Sequence, residues 1–149
     1  YNLSKELFWG ALVGVLIGGY LAFTTTIVKA HPFKPFAWPG DEQVYLTFTG
    51  LCLDVPCRLF FVGLIFAELD RRAYGFWPSA LISTGAYLLW LFVKWEYRAD
   101  LMKTVGVLFF ASVIGISYCL LFRKTRSLIP AVIAHFLVDL VYYRIALEF

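Results

Sequence analysis

Five runs of apolar residues, each near the roughly 20 that a helix needs to cross a bilayer, decide what this chain can fold into. They cover about residues 7–28, 44–70, 77–93, 101–122 and 127–147. Hydrocarbon cannot satisfy exposed backbone N–H and C=O groups, so such runs must be helical and must pack on one another. The composition agrees: of 149 residues, 61% are hydrophobic and 15% charged, and the mean hydropathy is +0.76. A water-soluble domain of this length seldom reaches such values. The predicted fold is therefore all-α, a polytopic transmembrane helical bundle of about five spans. No long linker, low-complexity tract or repeat divides it, so residues 1–149 read as one transmembrane domain. The first run has no small-residue cleavage pattern after it and is predicted to span, not to be removed as a signal peptide.

Punctuation inside and between the runs refines this picture. Gly10, Gly14 and Gly18 recur at four-residue spacing, which places a smooth strip on one helix face and predicts close contact with another helix. The connection "KAHPFKPFAWPGDEQ" holds three prolines and four aromatic or His rings, and reads as an interfacial loop or re-entrant cap. Pro78 and Pro130 fall in first turns, where a missing N–H costs little, and Ser127 is a predicted N-cap. Cys52, Cys57 and Cys119 all lie in apolar runs without CxxC or Cys/His metal spacing and read as buried free thiols.

The net charge of +3 is modest and the basic residues sit in short connections, which suits a membrane protein and not a nucleic-acid binder. One side of the predicted bundle collects Lys5, Arg71, Arg72, Arg123, Lys124 and Arg126; the other collects Lys29, Lys34, Lys94, Arg98, Lys103 and Arg144. The totals tie, but the first side concentrates its charge in the tight turns "DRR" and "RKTR". The second dilutes it with Asp41, Glu42, Glu96 and Asp100. The first side is predicted to be cytoplasmic, with the N-terminus inside.

Four polar groups break the apolar pattern well inside the spans: Asp54 and Arg58 on the second, His135 and Asp139 on the fifth. A charge at the midplane costs roughly 2.5–3.5 kcal/mol unless partnered, so each is a candidate functional residue. At 1.5 Å per residue, Asp54 lies roughly 15 Å and Arg58 roughly 21 Å from one face. His135 lies roughly 12 Å and Asp139 roughly 18 Å from the other. The two helices run antiparallel and each pair is spaced i, i+4, so the four groups can converge near the membrane centre. Two roles fit: an ion-paired cluster that holds helices in register, or an intramembrane catalytic or ligand site.

The order of these residues resembles the CPBP family of intramembrane proteases, which includes the type II CAAX prenyl endopeptidases. That family carries EExxxR, then FxxxH, then HxxxN or a close variant on successive helices. Here "LDVPCR" would be the first motif, with Arg58 retained, Asp54 in place of the second glutamate and Leu53 in place of the first, the usual catalytic base. The second would fall at Tyr87 and Leu91, keeping the aromatic and losing the histidine. The third, in "RSLIPAVIAHFLVDLV", keeps His135 and places Asp139 four residues on. The resemblance covers roughly residues 50–145. A rival register puts Glu68 and Arg72 of "AELDRR" on the first motif, but it leaves too few residues before "FWPSALI" and sits at a helix end.

In such proteases, glutamates and histidines activate a water, directly or through a metal, for attack on a peptide carbonyl. The resemblance thus implies residual catalytic positions Asp54, Arg58, His135 and Asp139. Asp54, His135 and Asp139 are the set that could hold a divalent ion such as zinc. Leucine at positions 53 and 91 can neither accept a proton nor ligate a metal. The predicted function is a CPBP-like pseudoprotease serving as a membrane scaffold or accessory subunit, bound to lipid and to other integral membrane proteins. The alternative is an active endopeptidase that uses the residual Asp/His/Asp cluster. Aromatic residues make up 19% of the chain; Trp38, Trp77 and Trp95, near predicted span ends, read as an interfacial belt.

Overall fold

The structure is a computed structural model that describes residues 3–29, 59–94 and 101–147, with single positions 45, 48, 52 and 56. Every element among the described residues is helical. These are α1 (Leu3–Lys29), a π-helical segment (Leu59–Phe66), α2 (Ala67–Arg71), α3 (Phe76–Lys94), α4 (Leu101–Thr125) and α5 (Ile129–Leu147).

Three stretches among the described residues are long and apolar enough to cross a membrane: Leu3–Thr24, Phe76–Val93 and Thr104–Thr125. α5 adds a shorter apolar stretch, Ile129–Val141. Most of residues 44–58, the first half of the predicted second span, lies outside the described residues. Large apolar side chains are exposed along these helices, among them Val15, Leu16 and Phe23 on α1, Leu81 and Leu89 on α3, and Val105 and Phe109 on α4. Water would not tolerate so many, whereas lipid chains solvate them. The chain is an integral membrane protein.

The chain divides into two compact units. The first joins α1 to α5, within residues 1–55 and 129–149. The glycine strip makes this pairing: a Cβ on Gly10 would stand 2.8 Å from the Pro130 carbonyl oxygen and 2.9 Å from Ile133 Cβ. On Gly14 it would stand 2.9 Å from Leu137 Cβ and 3.0 Å from Ala134 Cα, and on Gly18 3.1 Å from Val141 Cγ2. Only hydrogen fits at the first two positions, so the α1 backbone lies directly on α5, as the four-residue spacing predicts.

The second unit spans residues 56–128. The π-helical segment and α4 both pack on α3. Phe66 is fully buried, edge-on to Phe76 and Phe122 at centroid distances of 5.8 and 6.1 Å. Small polar residues let α3 and α4 approach: Ser79, Ser83 and Thr84 are buried, and a Cβ on Gly115 would meet the Thr84 side chain at 2.9 Å. Cys119 is fully buried beside the Ser83 and Thr84 hydroxyls, a free thiol as expected, whereas Cys52, also expected to be buried, is a free but exposed thiol and Cys57 lies outside the described residues.

The π-helix was not predicted. An i→i+5 ladder widens the turn relative to an α-helix. The Phe61 carbonyl of this segment accepts a hydrogen bond from Ser83 Oγ of α3. After α2 the chain reverses through Ala73 and Gly75, both with positive φ (63° and 86°), and Gly75 takes that conformation without steric penalty. Its carbonyl accepts from both the backbone N–H and the hydroxyl of Ser79, at 3.3 and 2.7 Å, which fixes the first turn of α3.

Candidate functional site

The residues read as the third motif, His135 and Asp139, lie on α5. Pro130 occupies the second position of the helix, where no intrahelical partner is needed. Ser127, predicted to cap this helix, lies two residues before its start at Ile129, and its backbone N–H donates to Thr125 Oγ1 at 3.3 Å. From that start, His135 and Asp139 fall one turn apart. His135 Nε2 and Asp139 Oδ2 are 3.4 Å apart, and both side chains are buried. The residues that meet the glycine strip, Pro130, Ile133, Ala134, Leu137 and Val141, follow the 100° helical rotation along one stripe. His135 and Asp139 occupy the opposite side of α5.

A nitrogen and a carboxylate oxygen this close form the kind of mixed edge that binds zinc or another divalent ion. Two donors are fewer than such a site needs, and the third predicted ligand, Asp54, lies outside the described residues. Among the described residues, no group of three or more His, Cys, Asp or Glu side chains could hold a metal. Leu53 and Arg58 also lie outside them. The π-helical segment begins at Leu59, the residue after Arg58.

The second-motif positions are on α3. Tyr87 is buried, packs edge-on against Phe61 of the π-helix at 5.5 Å and lies tilted by 30° against Trp90 at 5.8 Å. Phe61 and Trp90 complete the triangle at 6.4 Å. Leu91 follows, half-buried, with no polar function to offer where the motif has its histidine. The retained aromatic thus does packing work, joining α3 to the segment that follows the first motif.

The rival pair is an exposed ion cluster. Glu68 accepts two bonds from Arg71, both at 2.8 Å, and one from Arg72 at 2.7 Å. Hydrogen bonding from Arg71 and then Arg72 holds the Glu68 carboxyl down to about 2. A carboxylate so thoroughly neutralised and so open to water makes a poor general base near neutral pH.

Sequence reasoning missed Asp70. Its side chain is only 7% exposed, between Arg126 Nη1 at 3.2 Å and Arg123 Nε at 3.8 Å. Arg123 also lies over the Phe76 ring, 5.3 Å from its centroid, a cation–π contact. Arg126 holds a positive φ of 57° at the end of α4, its N–H bonded to the Phe122 carbonyl at 2.7 Å. The presence of "DRR" and "RKTR" on one predicted side was the only available signal that these turns meet.

Comparison with known families covers the stretch in which all three motif positions were read. Residues 44–141 match the family model described as type II CAAX prenyl endopeptidase Rce1-like. The chain belongs to this family. The matched stretch of the Rce1-like chain contains Asp54, Arg58, Tyr87, Leu91, His135 and Asp139, and the family agrees with the resemblance carried by those residues. α1 precedes the match, yet its glycines pack on the helix that carries the third motif. Neither a curated protein nor a solved structure shows a significant match to the chain.

Proposed function

We propose that this Rce1-like chain is a noncatalytic pseudoprotease that serves in the membrane as a scaffold or accessory subunit. The observation that carries this reading is Leu91. In the described helix α3 it stands at the motif's histidine position, one turn after Tyr87, which is committed to the Phe61–Trp90 cluster. Leucine also stands at position 53, where the family pattern has its usual base. Without a base and a second polarising group, water attack on an amide loses the proton transfer and charge stabilisation that drive it. His135 and Asp139 are then a buried structural pair.

The same pair supports a second reading, an intramembrane endopeptidase in which Asp54, His135 and Asp139 hold a divalent ion. In that case the ion would supply Lewis acidity, His135 and Asp139 would supply two of its ligands, and Arg58 would orient a carboxylate. The basic turns "DRR" and "RKTR" support placing their side of the membrane, and the N-terminus, in the cytoplasm.

The deciding experiment incubates the chain, reconstituted in lipid vesicles with zinc, with a prenylated CAAX peptide and follows cleavage by mass spectrometry. No product is expected. Cleavage that disappears in His135→Ala, with the melting temperature unchanged, would overturn the pseudoprotease reading. Co-purification with other membrane proteins at fixed stoichiometry supports the accessory role; a solitary monomer in mild detergent counts against it.

A further inference from the structure

The turns that close the second unit carry an uneven charge. Arg71, Arg72, Arg123, Lys124 and Arg126 surround only two carboxylates, Glu68 and Asp70. This cluster therefore holds three net positive charges, equal to the formal net charge of the whole chain; the remaining basic and acidic residues balance. The excess is displayed outward. The side chains of Arg71, Arg72 and Arg126 are 73%, 62% and 67% exposed, whereas Asp70 is 7% exposed.

The cluster also has a defined depth. One candidate span begins at Phe76 and another ends at Thr125, so Arg71, Arg72 and Arg126 lie just beyond the ends of two spans and Arg123 and Lys124 in the last turn of one, the level at which a bilayer has its headgroups. Tyr74 and Trp77 are exposed in the same region, and such rings favour that level. Two carboxylates hold the cations in place: Glu68 clamps Arg71 and Arg72, and Asp70 fixes Arg126. Guanidinium groups held in this way keep outward N–H donors whose fork matches phosphate oxygens.

We propose that this cluster is a binding site for the phosphates of anionic glycerophospholipids, with Arg71, Arg72, Lys124 and Arg126 contacting headgroups and Tyr74 and Trp77 lying among them. Glu68 and Asp70 serve as positioning residues. Each basic side chain beside an anionic surface strengthens association about fivefold.

The test uses the intact chain in bilayers containing spin-labelled phosphatidylglycerol or phosphatidylcholine, and reads the motionally restricted lipid at the protein surface. A preference for phosphatidylglycerol is expected. It should fall with added sodium chloride and drop toward parity in the triple variant Arg71→Gln, Arg72→Gln, Lys124→Gln. Lys124→Gln alone, which leaves the pairs of Arg71 and Arg72 with Glu68 and of Arg123 and Arg126 with Asp70 in place, should weaken the site about fivefold. The pair Lys29→Gln, Lys34→Gln on the other connection should keep the preference. No preference in the wild type, an unchanged one in both the triple and single variants, or an equal loss in the Lys29/Lys34 pair overturns the proposal. So does a preference erased by inorganic phosphate but not by chloride of equal ionic strength, which would assign the site to a soluble anion.

Discussion

Gly14→Ala tests the contact between α1 and α5 with a single methyl group. That methyl would stand 2.9 Å from both Leu137 Cβ and Leu137 Cδ1 and 3.0 Å from Ala134 Cα. Ordinary carbon contacts lie at about 3.5–4.0 Å, so the shortfall is about 0.5–1.1 Å. Leu137 Cδ1 can rotate aside, but Cβ and Cα move only with the helix. The helices must separate, at an overpacking cost of about 1–3 kcal/mol. Alanine gives back about 1 kcal/mol through its better helix propensity. Gly19 isolates the two effects: on the same helix, a Cβ there meets nothing within 4 Å, so Gly19→Ala keeps the propensity gain without the clash. The two variants should differ in stability by about 1–3 kcal/mol, with Gly14→Ala melting roughly 2–12 °C below Gly19→Ala in the same detergent. If Gly14→Ala proves at least as stable as Gly19→Ala, the two backbones do not lie in contact and the first unit is described wrongly.

Two further expectations concern the charged turns. Asp70→Asn removes the negative charge between Arg123 and Arg126 and should destabilise the second unit by about 1–3 kcal/mol, read as a lower melting temperature that 1 M salt does not restore. The Glu68 carboxyl is lowered from 4.5 to about 2, so its contribution is present above pH 4.5 and is lost as pH falls through about 2. Wild type should therefore be slightly more stable than Glu68→Gln at pH 7, and thermal melts should show the difference vanishing near pH 2.

What could be read from residues alone followed from regular periods. Apolar run length marked the membrane helices, four-residue glycine spacing marked the α1 face, and the i, i+4 rule put His135 and Asp139 within 3.4 Å of each other. The π-helix escaped because a period of 3.6 is assumed when faces are assigned, and nothing in "LFFVGLIF" announces a wider turn. Asp70 escaped for a different reason. Its partner Arg126 is 56 residues away, and pairing across that distance is set by how α2 and α4 end. The α5 start falls at Ile129 and not directly after Ser127, a shift of one residue at a helix end, where sequence signals place boundaries least sharply.

The glycine face of α1 also governs the order in which the chain can assemble. The second unit closes on contacts within residues 56–128, all available once that stretch has been synthesised. α1 is made first, but Gly10 meets Pro130 and Gly14 meets Leu137, residues that emerge more than a hundred positions later. Until then a bare glycine groove waits in the bilayer, able to accept the small-residue face of any other helix. A chain stopped before Ile129 has no α5 to cover that face of α1, and two chains brought together at that stage can exchange α5 helices.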